Sequence, residues 1–295
     1  MSEVMRGLFP VLLTPVDKNG DLDEGSLKRE VSFCIEAGAH GLVFPVLGSE
    51  FQCLSEGERK RLVEVVIGEA AGQLPVVAGV AAPSSTTVAV ECAAHAAKAG
   101  ADAVIALPLE GGNREKIEAY YQKIASAARL PVFIQHSQPG IDPAFIIHLL
   151  REIDEVQYVK EEMAPTAHSV GAVVDQVGEE CLGVFAGGHD RWMMSELHRG
   201  ATGFMPAAEA VDVHAQVWET YQSGDEAGAR RIFNQLLPLI NLIIIMGLTI
   251  CKEVMVKRGV FATSTLLRPG GVELDAADHR ELDQILSDLQ PLLRA

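Results

Sequence analysis

The chain alternates short, continuous apolar runs with longer segments in which apolar residues recur at helical spacing. Apolar residues at consecutive positions are typical of parallel strands that are covered on both faces. Eight runs have this pattern: Gly7–Leu13, Gly41–Val46, Pro75–Val80, Ala103–Pro108, Pro131–His136, Val156–Lys160, Leu182–Ala186 and Gly203–Pro206. The pattern therefore predicts eight parallel strands in regular order.

Helical segments separate these runs. They are predicted at Asp23–Ala37, Glu56–Ala71, Ser85–Ala99, Arg114–Ala128, Pro143–Ile153 and His168–Val177, and after the last run at Val211–Gln222, Glu226–Arg258 and Ala276–Leu293. Eight strand–helix units in this order predict an α/β fold, a closed (β/α)8 TIM barrel with a C-terminal helical extension. A doubly wound open sheet is the alternative, but no GxGxxG segment follows the first run.

The chain has no segment rich enough in glycine, proline or serine to separate domains. Residues 1–210 are predicted to hold the barrel strands and helices, and residues 211–295 the last barrel helix and the extension of the same domain. The most apolar run, Leu236–Cys251, is interrupted by a proline, an asparagine and a glycine. It predicts a buried helix, at a subunit contact, rather than a membrane span.

Charge and cysteine content narrow the function classes. The 295 residues carry a net charge of −16, with a pI near 5.0, which disfavours nucleic acid and anionic membranes as partners. Five cysteines without a CxxC pair, and a first segment without a basic and apolar leader, predict a reduced, cytoplasmic protein. No set of His, Asp and Glu has metal-ligand spacing, since His189-Asp190 is an isolated dipeptide, so no metal is expected.

The chemistry of a barrel lies at the carboxyl ends of its strands, where Lys160 ends the sixth run. A lysine in an apolar mouth loses hydration, which favours the neutral amine. A neutral amine attacks a ketone and gives a protonated imine, which is an electron sink. The pattern also fits a lysine that reaches solvent or pairs with Glu161 or Glu162. Strand alternation puts Glu162, not Glu161, on the side of Lys160.

Five further segments carry a resemblance that covers nearly the whole chain. They read GLFPVLLTPVDKNGDLD at the start, SEFQCLSEGER after the second run, GADAVIALP at the fourth, YVKEE at the sixth and GATGFMP at the eighth. In these segments the chain resembles the dihydrodipicolinate synthase / N-acetylneuraminate lyase family of (β/α)8 enzymes. The resemblance implies that Lys160, the lysine of a K-E pattern, forms an imine with a 2-keto acid.

The departures from the family pattern point to a subgroup. The G-T-T-G-E segment that holds the keto-acid carboxylate reads V-L-G-S-E here, and Gln135 replaces a tyrosine that relays protons. The tyrosine expected after Pro108 is absent, as is the arginine expected after the fifth run. The chain is more similar to 2-keto-3-deoxy-sugar-acid dehydratases, and to L-2-keto-3-deoxyarabonate dehydratases in particular. The matching residues are Phe9-Pro10-Val11, Ser49-Glu50, Leu54-Ser55, Glu58-Arg59, Ile134-Gln135 and Leu237–Asn241.

The resemblance therefore implies a Schiff-base lyase on a small 2-keto acid, without a cofactor, in a homo-oligomer (tetramer or dimer). Dehydration is expected ahead of aldol cleavage, with His136 as acid or base and Glu50 and Glu110 as weaker candidates. The predicted catalytic residues are Lys160, Gln135 and His136, and the predicted substrate-binding residues are Gly48, Ser49, Glu50, Gly187, Gly188 and Met205. A dihydrodipicolinate synthase that condenses pyruvate, and a non-catalytic family member, remain alternatives.

Overall fold

A computed structural model describes residues 4–138 and 140–295, which contain eight parallel strands in one curled sheet. The strands are β1 (Gly7–Leu8), β2 (Leu42–Phe44), β3 (Val76–Gly79), β4 (Ala103–Ala106), β5 (Val132–His136), β6 (Val156–Glu161), β7 (Gly183–Ala186) and β8 (Gly203–Phe204). Their order is β1-β8-β7-β6-β5-β4-β3-β2. Bridges from Val11 to Val43 and to Ala207 bring the two ends of the sheet together. The predicted TIM barrel is confirmed.

All eight predicted strands are present, most of them shorter than the apolar runs. The first run shows why. Pro10 has no N–H to donate, so the regular ladder of β1 ends at Leu8 and Val11 pairs only through isolated bridges.

Eleven α-helices lie in the described residues, mostly on the outside of the barrel. They are α1 (Glu24–Glu36), α2 (Glu56–Ala70), α3 (Thr86–Ala99), α4 (Arg114–Ala128), α5 (Pro143–Glu152), α6 (Thr166–Val174), α7 (Met193–Leu197), α8 (Val211–Gln222), α9 (Glu226–Met246), α10 (Leu248–Lys257) and α11 (Ala276–Leu289). At the N-termini of several of these helices, a serine, aspartate or asparagine side chain accepts a hydrogen bond from a backbone amide of the first turn. These capping residues determine where the helices begin.

One helix prediction was wrong, and one helix was missed. The single helix predicted over Glu226–Arg258 is two helices, because Gly247 adopts a φ of +71° and ends α9 before α10 begins. Helix α7 was not predicted, since five residues are too few to produce a helical period.

The barrel interior is filled from below by aromatic rings on neighbouring strands. Phe133 of β5 stacks on Tyr158 of β6 with ring centroids 4.4 Å apart, and Phe185 of β7 packs edge-on against Phe133 at 5.4 Å. Side chains alternate between the two faces of a strand, so the residues two positions further along also face inward. These are Gln135, Lys160 and Gly187, at the carboxyl end of the barrel.

Helix α9 is, within the described residues, the one helix that is long and apolar enough to cross a membrane. Core helices pass the same test, and α9 packs against α8, α10 and α11. Its far end is not fully covered, since Ile244 and Ile245 are 40% and 65% exposed. All five cysteines are unpaired, as expected of a reduced protein. The cytoplasmic location stays a prediction.

Candidate active site

Two pairs of polar residues lie opposite each other on β5 and β6, and the two pairs face opposite sides of the sheet. Gln135 lies opposite Lys160, and His136 lies opposite Glu161. Because successive side chains alternate, the first pair faces the barrel interior and the second faces the surrounding helices. All four side chains are buried.

The inward side of β6 carries a lysine–carboxylate pair. The Nζ atom of Lys160 lies 3.0 Å from Oε1 of Glu162, and the lysine side chain is 4% exposed. The same carboxylate accepts hydrogen bonds from Nε2 of Gln135 at 2.9 Å, from the hydroxyl of Ser137, and from the amide of Gly188 at 3.3 Å. Four donors therefore hold this carboxylate as an anion beside the amine.

The electrostatics of Glu162 agree with these contacts. Burial alone would raise the pKa of Glu162, but the Lys160 charge and the hydrogen bonds from Ser137 and Gln135 outweigh it and lower the pKa. Gly187 of the loop after β7 makes room for this carboxylate, because a Cβ at Gly187 would lie 2.5 Å from Oε1 of Glu162. The space predicted to admit the substrate at Gly187 is thus filled by Glu162.

The turn after β7 is strained and brings a histidine to the site. Gly188, His189 and Asp190 have φ values of +67°, +60° and +55°. Residues other than glycine rarely adopt this backbone conformation. Such strain persists where the surrounding fold enforces it, and it is common at functional sites. Burial lowers the pKa of His189, and its Nδ1 is buried without a hydrogen-bond partner among the described residues.

Asp190 of this turn lies close to a second buried ionisable group, His214 of α8. Nε2 of His214 is 3.9 Å from Oδ2 of Asp190. Burial raises the pKa of Asp190 far above its usual value and lowers the pKa of His214 to about 4. Both groups therefore favour their neutral forms, so they add little charge to the site.

A cavity of about 350 Å³ opens above the lysine–carboxylate pair. Its lining residues are Val11, Leu47, Gly48, Lys160, Glu162, Gly188, His189, Met205, Ala207, Leu248 and Arg268. The size suits a small organic acid. A larger cavity of about 590 Å³ lies between α7 and α9, but no lysine lines it. We place the candidate active site in the smaller cavity because its wall joins a buried amine to a carboxylate.

The predicted role of His136 is not supported by its position. Its Nδ1 is 2.7 Å from Oε2 of Glu161, and its Nε2 is 3.1 Å from the carbonyl oxygen of Ile141. Both ring nitrogens are thus engaged on the outer face of the barrel, away from the cavity. The strand alternation that separates Glu161 from Lys160 applies equally to His136.

The loop after β2 contributes less to the cavity than predicted. The hydroxyl of Ser49 donates to the carbonyl oxygen of Leu12 at 2.5 Å and accepts from the amide of Val46 at 3.2 Å. Glu50 is fully buried and bonds Nζ of Lys252 at 2.7 Å. Neither side chain lines the cavity, so Gly48, Gly188 and Met205 are the predicted binding residues that do.

Three ionisable residues that line the cavity were not assigned to the site from the sequence: Glu162, His189 and Arg268. Strand alternation gave a signal for Glu162, and the position after β7 gave one for His189. Arg268 follows α10, far from any strand end, and had no signal. Within the described residues, no group of three or more His, Cys, Asp or Glu side chains has the geometry to hold a metal ion.

Comparison with known proteins now adds to this geometry. The model of the dihydrodipicolinate synthetase family matches residues 4–289. The chain belongs to this family. It is 29% identical to the L-2-keto-3-deoxyarabonate dehydratase of Azospirillum brasilense, over 98% of this chain and 93% of that protein. It is 31% identical to a 4-hydroxy-tetrahydrodipicolinate synthase of Bradyrhizobium diazoefficiens, over 80% of each.

Solved structures of the family share the fold. YagE of Escherichia coli, solved in complex with pyruvate, superposes with a TM-score of 0.88 at 22% identity, over 99% of this chain and 100% of that one. The dihydrodipicolinate synthase of Rhodopseudomonas palustris gives a TM-score of 0.87 at 24% identity, over 97% and 98%. At this identity the likeness establishes the barrel alone. Family membership makes this chain an enzyme of the lyase type.

Proposed function

We propose that this lyase forms an imine through Lys160 and dehydrates a 2-keto-3-deoxy sugar acid. The observation that carries the proposal is the Glu162 carboxylate, which lies 3.0 Å from the Lys160 amine on the wall of the cavity. A tyrosine relays protons in the family pattern, and Gln135 in its place has no titratable proton. Glu162 supplies the missing acid and base.

The first stage joins the substrate to the enzyme. The Lys160 amine attacks the C2 ketone, and loss of one water gives a protonated imine. Glu162 accepts the ammonium proton before the attack and returns a proton to the departing hydroxyl, so the carboxylate ends this stage unchanged. The aromatic rings of Phe133 and Tyr158 close the barrel below, which limits water around the imine.

The second stage removes water from the sugar chain. C3 is one bond from C2, which is itself bonded to Nζ of Lys160, so an oxygen 3.0 Å from Nζ is within reach of a C3 proton. Glu162 takes this proton, and the imine holds the electron pair as an enamine. The enamine expels the C4 hydroxyl, which leaves as water with the proton from Glu162. Hydrolysis of the unsaturated imine then frees Lys160.

The neutral His189 completes the site. Because burial disfavours its charged form, it can donate one hydrogen bond and accept another without adding charge. In the cavity wall beside Gly188, it is suited to the hydroxyl groups of the distal sugar chain. This role replaces the one predicted for His136.

Borohydride trapping tests the imine. The protein is incubated with pyruvate or with a 2-keto-3-deoxy sugar acid, reduced, digested and examined by mass spectrometry. We expect a reduced adduct on Lys160 that is absent from Lys160→Met. Absence of an adduct with several keto acids would overturn the imine mechanism and favour the non-catalytic alternative.

Product analysis separates the reactions of one imine. A dehydratase converts the sugar acid without releasing pyruvate, whereas an aldolase releases pyruvate and an aldehyde. A condensing enzyme, the dihydrodipicolinate synthase alternative, consumes pyruvate and joins it to a second carbonyl compound. Either of the last two results, without dehydration, would contradict the proposed reaction.

Self-association is a further part of the proposal. The exposed Ile244 and Ile245 at the end of α9 form an apolar surface of the kind that contacts another subunit. Sedimentation should show a species larger than the 31.7 kDa chain. A monomer at all concentrations would contradict this.

A further inference from the structure

The proposed substrate carries a carboxylate, and most donors of the segment predicted to hold it, Gly48–Ser49, are already engaged. The Ser49 hydroxyl is engaged with Leu12 and Val46. The Ser49 amide donates to the carbonyl oxygen of Val46 at 2.9 Å, and the Glu50 amide donates to that of Leu47 at 3.0 Å. The Gly48 amide is left for the carboxylate among the described contacts, and because one N–H cannot satisfy two charged oxygens, a second group beside Gly48 is needed.

The charges around the cavity identify that group. Lys160 is matched by Glu162, and burial keeps His189 in its neutral form. The other described lining residues are apolar or glycine, apart from Arg268. The guanidinium of Arg268 makes no hydrogen bond or ion pair with another described residue. Arg268 is thus the unmatched cation of the described cavity wall.

The backbone around Arg268 is anchored beside the loop after β2. The amide of Arg268 donates to Oε1 of Glu50 at 2.7 Å. Lys252 donates to Oε2 of Glu50 at 2.7 Å and to the carbonyl oxygen of Thr265 at 2.9 Å. The hydroxyl of Thr263 donates to the carbonyl oxygen of Val16 at 2.7 Å. These bonds fix the loop between α10 and α11 against the barrel on the side where Gly48 lines the cavity.

We propose that Arg268 binds the C1 carboxylate of the substrate, an assignment that rests on the proposed function. A guanidinium offers paired N–H donors that match the two oxygens of a carboxylate. Arg268 thereby takes over the task of the lost threonine hydroxyls and selects keto acids over neutral ketones. The buried Glu50 and Lys252 position it through the backbone, without contact to the substrate.

The test compares a keto acid with a neutral ketone. The concentration that gives half-maximal borohydride adduct is measured for pyruvate and for hydroxyacetone, in the wild type, Arg268→Gln and Arg268→Lys. Arg280→Gln, on the exposed face of α11, is the control for loss of one positive charge. In Arg268→Gln we expect the half-maximal concentration of pyruvate to rise about 10- to 100-fold and that of hydroxyacetone to stay unchanged. The half-maximal pyruvate concentration of Arg268→Lys should lie between those of the wild type and Arg268→Gln.

The outcomes separate this inference from the proposed function. The wild type could form the adduct while the half-maximal pyruvate concentration of Arg268→Gln stays within about twofold of the wild-type concentration. This result would overturn the role of Arg268 and leave the imine mechanism intact. Lactate provides a readout without imine formation, because it has the carboxylate but no ketone. Ligand-observed NMR should show lactate binding to the wild type and about tenfold weaker binding to Arg268→Gln. Equal lactate affinity would overturn the inference even if no adduct ever forms.

Discussion

Two lysine–glutamate pairs with little solvent exposure have different surroundings in the part of the chain that the structure describes. Lys160 and Glu162 lie 3.0 Å apart, with side chains 4% and 15% exposed, and both line a cavity. Lys252 and Glu50 lie 2.7 Å apart, both completely buried, and neither lines it. Burial and pairing are common to both. Access to a cavity that a ketone can enter distinguishes the pair suited to chemistry from the pair that joins two loops.

The two pairs also differ in what else they bind. Glu50 and Lys252 use their remaining capacity on the C-terminal loop, through the Arg268 amide and the Thr265 carbonyl oxygen. Burial lowers the pKa of Lys252, against the opposing effect of Glu50. Glu162 instead binds Gln135, Ser137 and Gly188 around the cavity. One pair joins the extension to the barrel, and the other lines the candidate active-site cavity.

Substitution of Lys160 should give the largest effect on activity and a small one on stability. Lys160→Met removes the proposed nucleophile, so turnover should fall by about 10⁴-fold or more. Glu162 keeps three other donors, so the thermal midpoint should stay near that of the wild type. Turnover is measured alongside thermal unfolding monitored by circular dichroism. An active Lys160→Met would mean that the chemical pair has been misassigned.

Substitution of Lys252 should reverse this pattern. Lys252→Met leaves Glu50 buried without its counter-charge, which should lower the free energy of unfolding by about 3–5 kcal/mol. The folded fraction should still form an adduct on Lys160. The double variant Lys252→Met/Glu50→Met removes the stranded charge and should recover part of the loss in denaturant titration. Loss of the adduct in fully folded Lys252→Met would contradict the division between the pairs.

Glu162→Gln removes the proposed acid and base but keeps the nucleophile. The adduct on Lys160 should still accumulate under borohydride, though more slowly, whereas turnover should fall by about 10²- to 10⁴-fold, because an amide cannot take the C3 proton. Since the pKa of Glu162 lies below its ordinary value of 4.5, its carboxylate stays ionised above that pH. Wild-type turnover should therefore lose activity only as pH falls through the lowered pKa.

Glu161→Gln is the matched control on the opposite face of β6. Glu161 bonds His136 and the amide of Met163, so its loss should destabilise the barrel wall without removing the proton shuttle. Turnover per folded molecule should remain within about tenfold of the wild type. Equal losses of turnover in the two variants would argue against a specific role for Glu162.

The fold and the lysine were predictable because both follow from local patterns. Eight continuous apolar runs determined the eight strands, and the sixth run ends on Lys160. The errors lie where contacts come from distant parts of the chain. The Ser49 hydroxyl is taken by Leu12, 37 positions away, and the Glu50 carboxylate by Lys252, 202 positions away. Contacts between residues so far apart in the chain produce no periodic pattern. The sequence therefore shows that Ser49 and Glu50 are polar, but not which residues bind their side chains.

His136 and Arg268 show two further limits. Histidine is a residue type that can transfer protons, but His136 lies on the outer face of β5, away from the cavity. This position could be predicted from the sequence, because side chains alternate along a strand and Gln135 was expected to face inward. Arg268 comes from a loop without secondary structure, after α10, and its position depends on an anchor across the whole barrel. Only the folded chain brings it beside Gly48.

The smallest expected effect comes from Gly187→Ala, which shifts the chemical pair without removing it. The new Cβ would lie 2.5 Å from Oε1 and 2.8 Å from Cδ of Glu162, so the carboxylate must move away from Lys160. A displacement of about 1 Å should reduce turnover by about 10- to 100-fold. The Lys160 adduct should still form, since the amine is untouched, but more slowly, because the displaced carboxylate also takes the ammonium proton.

Gly57→Ala is the control for this last substitution. Gly57 lies in α2 with nothing within 4 Å of an added Cβ, so the change should stabilise the helix by about 0.5–1 kcal/mol and leave turnover unaltered. If Gly187→Ala acts through Glu162, it should reduce turnover little further in a Glu162→Gln background, because the group it displaces is already inactive. Additive losses would instead mean that Gly187 matters for the substrate path, as the sequence first indicated.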